Sequence, residues 1–166
     1  MSKVSARKKG NNKEQKVVVA RNRRARHDYH LQRPLEAGIV LHGTEVKSLR
    51  EGRASIVDGW VNIDRGEAWL ENVHIPEYMQ GSWTNHSSRR RRKLLLHKAE
   101  ILKLHQAVSQ KGHTIVPVEL YFLNGRAKVE IAVGIGKREW DKRHALREKQ
   151  DERDAQRAIR YREYQD

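Results

Sequence analysis

The chain has 166 residues, of which 37% are hydrophobic, 6% aromatic and 34% charged, and its formal net charge is +14. This length fits one ordinary domain with appendages, and the low apolar content predicts a modest core. Such a basic balance favours a polyanionic partner, either nucleic acid or an anionic membrane surface, but no apolar run approaches the roughly 20 residues that a membrane-spanning helix needs.

The composition also bears on location. The stretch MSKVSARKKGNNKEQK has no apolar segment of the kind found in secretory signals, and the chain contains no cysteine. The lack of cysteine excludes disulfides and thiolate metal sites and weakly favours the cytosol. We therefore expect a cytoplasmic protein without a membrane partner.

Residues 1–26 are predicted to form a basic N-terminal arm. They include ten lysines or arginines and one glutamate, so they cannot bury enough apolar surface to fold alone, apart from a short VVVA stretch. The arm leads into ARNRRARHDY. Because arginine binds phosphate through paired hydrogen bonds, we expect Arg23, Arg24 and Arg26 to contact phosphate rather than only to solvate the chain.

The middle of the chain has strand and turn signals. EAGIV, beginning at Glu36, reads as a strand, and TEVKSLREG reads as a short helix ended by glycine. WVNID and EAWLENVHI flank Arg65 and Gly66, which predicts a hairpin. PVELYFL and RAKVEIAVG flank Asn124 and Gly125, a stronger hairpin signal because both residues tolerate a positive φ.

The segment LLLHKAEILKLHQAVSQKG predicts the main helix, with Gly112 as its C-cap. Ile101, Leu104, His105 and Val108 recur there at helical spacing. Short hairpins combined with one longer helix predict a mainly β fold with helices over residues 27–136. The expected architecture is a small closed or nearly closed β-barrel of the oligonucleotide-binding (OB) type.

Residues 89–93, RRRRK, are five consecutive cations. Most such runs are solvated faces, but this one follows a polar loop in which Trp83 and His86 could stack on bases. A nucleic-acid contact through Arg91, Arg92 and Lys93 and a solvated face are therefore both open.

Residues 137–166 form a charged C-terminal tail that favours a helix. From DKRHALREKQ onwards it lacks glycine and proline, and Glu139–Arg143 and Arg147–Asp151 are opposite charges at helical spacing. Apolar residues are too sparse for this helix to dock on the barrel. We expect it to be free or to be helical on a partner.

The start of the tail carries two further signals. Gly134 and Gly136 predict a flexible joint between barrel and tail. Trp140 lies among charged residues, where a merely solubilising tail would rarely place an indole. The tryptophan therefore favours a partner that contacts the tail.

Enzymatic and metal sites have weaker support. The tightest histidine group is His27 and His30 with Asp28 between them, which matches no zincin helix and no Cys/His pattern. No nucleophile elbow, phosphate loop or paired-carboxylate motif is present. We expect no cofactor and no catalysis, with an undetected His/Asp nuclease site as one alternative and a ribosomal or ribosome-assembly protein as another.

Several long motifs in order carry a family resemblance: ARHDY, EAGIVLHGTEVKSLREG, RKLLLH, PVELYFLNGRAKVEIAVGIGK and DKR. They resemble the bacterial SsrA-binding proteins (small protein B), partners of transfer-messenger RNA (tmRNA). The resemblance implies a non-enzymatic barrel that grips the tRNA-like domain of tmRNA and a tail that enters a stalled ribosome. With elongation factor Tu, the family brings alanyl-tmRNA to the ribosome for trans-translation, a form of ribosome rescue.

The resemblance also implies site residues. The RNA-binding positions are Asn22, His27, Glu36, Leu95 and Lys128. The decoding-site motif is Gly136, Trp140, Asp141, Lys142 and Arg143, to which we add the tail cations Lys137, Arg138, Arg147, Arg153 and Arg157 as contacts of the small-subunit rRNA.

The chemistry of these positions differs. Lys128, on the polar face of its strand, can reach a phosphate, whereas Glu36 would accept hydrogen bonds from base or ribose donors or orient an arginine. Leu95 could pack under an unstacked base, although the sequence pattern favours the core. Trp140 could stack on a decoding-site nucleotide, a contact that contributes roughly 1–3 kcal/mol. Ser87 and Ser88 replace the Asp-Pro expected in this family, which leaves the conformation of their loop open.

Overall fold

The structure is a computed structural model that describes residues 14–80 and 85–163, without the side chains of residues 139, 140, 162 and 163. The first half of the predicted arm (residues 1–13), the loop residue Trp83 and the side chain of Trp140 therefore lie outside the described residues. None of the helices it describes is both long and apolar enough to cross a membrane.

The described residues form seven strands and four helices. The strands are β1 (Lys16–Arg21), β2 (Tyr29–Ile39), β3 (Trp60–Asp64), β4 (Glu67–Glu71), β5 (Arg92–Leu95), β6 (His113–Leu123) and β7 (Arg126–Gly136). The helices are α1 (Arg23–Asp28), α2 (Gly43–Arg50), α3 (Lys98–Val108) and α4 (Glu139–Glu163).

All strands belong to one seven-stranded sheet with the order β1-β6-β7-β2-β5-β4-β3. Every neighbouring pair is antiparallel. Strand β3, at one end of the sheet, also contacts β6 near the other end, so the sheet curls towards a barrel without closing. The predicted fold class, mainly β and of nearly closed barrel type with a C-terminal helix, is confirmed.

The hydrophobic core lies on one face of this sheet and beneath two helices. Strands β4, β5, β6 and β7 contribute Leu70, Leu94, Ile115 and Ile131, and α2 contributes Leu49; each is at most 1% exposed. Helix α3 contributes one buried side chain, that of Leu104, which is 4% exposed. No described residue of α4 belongs to the core cluster.

Both predicted hairpins are present. Asn124 and Gly125 connect β6 to β7 with φ values of 50° and 80°, and Arg65 and Gly66 connect β3 to β4 with φ values of 50° and 75°. Two consecutive residues in the left-handed region match the twist of the paired strands. The short helix predicted from TEVKSLREG is also present, as α2.

The main helix begins later in the chain than the sequence pattern predicted. The first two leucines of its predicted start lie in β5, where Leu94 pairs with Ile39 and Leu95 with Gly38. The helix itself begins at Lys98, where the Glu100 carboxylate accepts a hydrogen bond from the backbone N–H of His97 at 3.0 Å. A short apolar run is compatible with strand or helix, and pairing with β2 decides between them.

The folded domain begins before the predicted boundary at residue 26. Strand β1 pairs with β6, and Val19 and Ala20 pack against the core. The boundary itself falls inside α1. Pairing with β6 supplies the backbone partners that this segment lacks in isolation, so VVVA becomes a strand of the sheet.

Candidate nucleic-acid interface

One groove brings together side chains from strands that are distant in sequence. It has a volume of about 540 Å³ and is lined by Glu36, Lys93, Leu95 and Lys128, among others. The ammonium of Lys93 donates to Glu67 at 3.0 Å. We call this the β2–β5 groove, and it unites three of the five family-implied RNA-binding positions with one residue of the basic run.

Leu95 is an exposed apolar side chain in the β2–β5 groove. It is 57% exposed, and the register places it opposite Gly38. A Cβ atom at Gly38 would lie 3.1 Å from the Cβ of Leu95, so the glycine leaves room for the leucine. The interpretation of Leu95 as a core residue is wrong, because alternation along β5 turns Leu94 inward and Leu95 outward.

Glu36 has two different oxygen environments. Its Oε2 accepts a hydrogen bond from the hydroxyl of Tyr121, while Oε1 lies 3.8 Å from the Nζ of Lys128. The carboxylate side chain is 43% exposed. A partner in the groove therefore meets an acceptor, a cation and an apolar side chain close together.

Asn22 has a structural position. It is 4% exposed, its side-chain oxygen accepts from the N–H of Ala25 at 3.0 Å, and its amide donates to the carbonyl of Pro117 at 2.9 Å. It thereby caps α1 and ties this helix to β6. The side chain of Asn22 is thus buried and engaged within the fold, and the RNA contact that the family implies for this position stays a prediction.

A second groove separates α1 from α4 and has a volume of about 560 Å³. Its basic lining consists of Arg21, Arg23, Arg26, His27, Lys137 and Lys149. The acidic lining residues are Glu119 and Glu130, and Glu119 is already paired with Lys16 and Arg21. This α1–α4 groove therefore attracts anions.

The basic run at residues 89–93 is largely engaged inside the fold. Arg92 is fully buried: it donates from Nε to Glu45, from Nη1 to the carbonyl of Val73 at 2.8 Å and from Nη2 to that of Ser88 at 3.1 Å. The Nε of Arg90 donates to the other oxygen of Glu45 at 2.5 Å. The prediction that Arg92 contacts RNA is wrong, because every group that could bind phosphate is used internally.

Glu45 stays charged in this buried cluster. Burial would raise its pKa, but hydrogen bonds and charge from Arg92 and Arg90 outweigh burial and hold the pKa below its usual value. The same carboxylate accepts from the backbone N–H of His42 at 3.3 Å at the start of α2. Glu45 therefore links α2 to β5.

Arg91 lies on the surface but has partners. Its guanidinium stacks 4.0 Å from the ring centroid of Trp69. Asp64 and Glu71 lie within 3.6 Å of its nitrogens. An RNA phosphate would have to compete with both carboxylates for this arginine.

The loop before the basic run is held by buried contacts. His86 is buried, with Nδ1 2.8 Å from the hydroxyl of Thr44 and Nε2 2.9 Å from the carbonyl of Ile75. The hypothesis that His86 stacks on a base is therefore wrong. The carbonyl of Ser88 accepts from the N–H of Ile75 at 2.9 Å, so the Ser87-Ser88 segment is fixed through its backbone.

Several known proteins are similar to this chain over most of its length. A family model described as SmpB protein matches residues 19–161. This chain belongs to the SmpB protein family. An SsrA-binding protein of Leifsonia xyli subsp. xyli (strain CTCB07) is 65% identical over 147 residues, which cover 89% of this chain and 93% of that protein. Another, of Thermobifida fusca (strain YX), is 60% identical over 158 residues, which cover 95% and 99%.

A solved structure is also similar. A chain described under "tmRNA-SmpB: a journey to the center of the bacterial ribosome" is 47% identical, with a TM-score of 0.63, and the match covers 77% of this chain and 94% of that one. The family resemblance predicted from the sequence motifs is thus confirmed.

In this SmpB family member the tail begins in contact with the barrel. The backbone N–H of Lys137 donates to the carbonyl of Asp28 at 3.0 Å and its Nζ to the carbonyl of Arg26 at 3.1 Å. The Nζ of Lys142 lies 3.6 Å from Oδ1 of Asp28. The prediction that the helix does not dock is therefore wrong for its first turns, because polar contacts replace the missing apolar stripe.

Asp28 is the centre of this contact. A hydrogen bond from His27, at 2.9 Å, together with the charges of Lys142 and Arg24, outweighs partial burial and holds the pKa of Asp28 below its usual value. The carboxylate therefore stays ionised at neutral pH. It connects α1 to α4 through charge.

The two glycines before the tail are ordered members of the SmpB sheet. Gly134 pairs with Leu31, and a Cβ atom there would lie 3.0 Å from the ring of Tyr29. Gly136 pairs with Tyr29, and its N–H donates to the carbonyl of Gly112 at 3.2 Å. The predicted flexible joint is wrong, since Gly134 serves close packing and Gly136 is paired at the end of the β2–β7 ladder.

Beyond its first turns, α4 is solvent-exposed. Arg147, Arg153 and Arg157 are exposed along it, with His144–Glu148 and Asp154–Arg157 as side-chain pairs at 3.2 and 3.9 Å. Such pairs at helical spacing stabilise an isolated helix by a few tenths of a kcal/mol each. The exposed length offers cations to a partner.

Sequence reasoning missed two buried residues that hold side chains of the candidate interface. Glu45 organises the basic run, and Tyr121 holds Glu36, yet both partners are distant in sequence. Glu45 stands three residues after the N-cap of α2, but that N-cap is His42 and not the serine or threonine that marks a capping box in a sequence. No local pattern marks Tyr121.

Proposed function

We propose that this protein is a non-enzymatic RNA-binding adaptor for trans-translation. It binds the tRNA-like domain of tmRNA and delivers it to stalled bacterial ribosomes, which is ribosome rescue. The observation that carries the proposal is the convergence of Glu36, Leu95 and Lys128 on the β2–β5 groove in a chain whose relatives are named SsrA-binding proteins.

The barrel, residues 27–136 with β1 added, supplies the tmRNA site. Lys128 and Lys93 attract phosphate, Leu95 offers an apolar contact to an unstacked base or a ribose, and Glu36 accepts hydrogen bonds. A carboxylate repels phosphate, so Glu36 selects for a donor at one point of the RNA surface. The combination favours a folded RNA of particular shape over any polyanion.

The tail acts at the ribosome. Residues 137–166 enter the empty decoding site and mRNA channel, where Lys142, Arg143 and the arginines farther along α4 contact small-subunit rRNA. Elongation factor Tu accompanies alanyl-tmRNA in the delivery complex. The tail thereby takes the place of the missing codon–anticodon duplex.

The proposal is tested by ending the chain after Gly136. The core contains no described residue of α4, so the barrel is expected to fold and to bind the tRNA-like domain with nearly unchanged affinity, while peptide tagging on stalled ribosomes is lost. Lys128→Ala is the matched control, with weakened tmRNA binding and an intact tail. Normal tagging by the truncated chain would refute the tail's role.

A competition experiment distinguishes the adaptor from the alternative, a ribosomal or ribosome-assembly protein. In the same assay, the labelled tRNA-like domain is challenged with an excess of an unrelated structured RNA of equal length. Retention of the labelled RNA supports the adaptor. Equal displacement, with sedimentation on all ribosomes, would instead favour a ribosomal or assembly protein that binds rRNA.

A further inference from the structure

Tyr121 forms an unusual contact across the sheet. It lies on β6, is 3% exposed, and its hydroxyl donates to Oε2 of Glu36 on β2. Strand β7 runs between them, with Lys128 opposite Tyr121 and Glu130 opposite Glu36. The phenol therefore reaches over a neighbouring strand to hold an exposed carboxylate.

The aromatic ring is fixed from the side of β1. The Nζ of Lys16 lies 4.2 Å from the ring centroid of Tyr121, and the same ammonium is 2.5 Å from Oε2 of Glu119. A cation over the ring face adds an electrostatic attraction to the packing. The hydroxyl is thus presented in a defined direction.

The protonation state suits a donor. Burial raises the pKa of the Tyr121 phenol, and the neighbouring Glu36 carboxylate raises it further. The phenol stays protonated at physiological pH and donates a hydrogen bond to Oε2. This leaves Oε1, 3.8 Å from the Nζ of Lys128, as the oxygen of Glu36 that the phenol does not hold.

We propose that Tyr121 is a positioning residue for RNA recognition: its hydroxyl holds the Glu36 carboxylate so that Oε1 accepts a hydrogen bond from an RNA donor while Lys128 contacts the adjacent phosphate. The inference rests on the proposed function, since it takes Glu36 and Lys128 as RNA contacts. It explains how a carboxylate can bind an RNA donor in a groove that also holds cations: the Tyr121 hydroxyl fixes its orientation. A fixed carboxylate does not have to lose side-chain freedom when the RNA binds.

The test compares Tyr121→Phe, Glu36→Gln and the double variant in the full chain. The dissociation constant for the labelled tRNA-like domain of tmRNA is measured at one salt concentration. Tyr121→Phe keeps the ring and the Lys16 contact, and it is expected to weaken binding about five- to tenfold. Glu36→Gln is expected to weaken it at least as much, and the double variant no more than Glu36→Gln alone, because coupled groups are not additive.

The control is Tyr78→Phe, which removes a hydroxyl that bonds to Gln80 at 3.2 Å on another part of the surface. It should leave the dissociation constant unchanged, and thermal melting should show both tyrosine variants folded. As a second readout, Tyr121→Phe should keep the salt dependence of binding, since no phosphate contact is removed.

The outcomes separate the inference from the function it rests on. If Glu36→Gln weakens binding and Tyr121→Phe does not, the positioning role is overturned while the RNA site stands. A further loss from Tyr121→Phe in the Glu36→Gln background would also overturn it, because a general structural role predicts additive effects. If neither single variant weakens binding, Glu36 is not an RNA contact, and the proposed β2–β5 site fails.

Discussion

Two basic segments of this chain, residues 23–26 and residues 89–93, look alike in sequence but differ in how far the fold pairs their arginines with carboxylates. In the second, Arg92 is buried against Glu45, and Arg91 stacks on a tryptophan between two carboxylates. In the first, Arg23 and Arg26 line the α1–α4 groove, and within the described residues no acidic side chain pairs with either.

The difference comes from the surroundings of each segment. Strand β5 lies beside the β3–β4 hairpin and below α2, which supply Asp64, Glu67, Glu71 and Glu45. Helix α1 brings one carboxylate, Asp28, and this residue is engaged by Arg24, His27 and Lys142. A run of cations therefore predicts a phosphate site only where the fold provides no internal acid for it.

The largest effect is expected from Arg92→Met. Removing the guanidinium leaves Glu45 buried with only Arg90 as a cationic partner, so the free energy of unfolding should fall by about 3–5 kcal/mol. Arg23→Met, the matched change in the exposed segment, should alter it by no more than about 0.5 kcal/mol. Denaturant-induced unfolding followed by circular dichroism measures both. Equal losses in the two variants would remove the distinction between the segments.

An intermediate effect is expected on RNA binding. If each of Arg23 and Arg26 neutralises one phosphate, as proposed, the double variant Arg23→Ala/Arg26→Ala should weaken binding of the tRNA-like domain and make the slope of log affinity against log salt less negative by about 2. The matched double variant Arg89→Ala/Arg91→Ala should leave the slope unchanged. Binding titrations at several salt concentrations give the comparison, and a changed slope in the second variant would place Arg89 or Arg91 on the RNA.

Local chemistry decided what could be predicted from the sequence. The Asn124-Gly125 hairpin depends on two adjacent residues with positive φ, so it was predictable. The segment of Arg92 and Leu94 was misread, because a short apolar run becomes a strand only by pairing with β2.

In the candidate site, too, the features that depend on strand pairing could not be predicted from the sequence. Family resemblance pointed to Glu36, Leu95 and Lys128, yet it could not say that Leu95 is exposed or that Tyr121, 85 residues from Glu36 along the chain, holds the carboxylate. These facts depend on which strands become neighbours. Contacts between distant segments are set by the sheet, and no local pattern encodes them.

The smallest effect is expected from Asp28→Asn, which removes the carboxylate that joins α1 to Lys142. Its pKa is lowered in the folded protein, so this contact is fully present above the unfolded value of about 3.9 and is lost as pH falls through the lower folded value. Because the ion pairs are partly exposed, the free energy of unfolding should change by less than about 1 kcal/mol. The NMR shift of the Lys142 amide should follow this titration in the wild-type chain and show no such step in Asp28→Asn. An identical titration in both would mean that other groups hold the tail, and that the exposed basic segment and the first turns of α4 are not linked through Asp28.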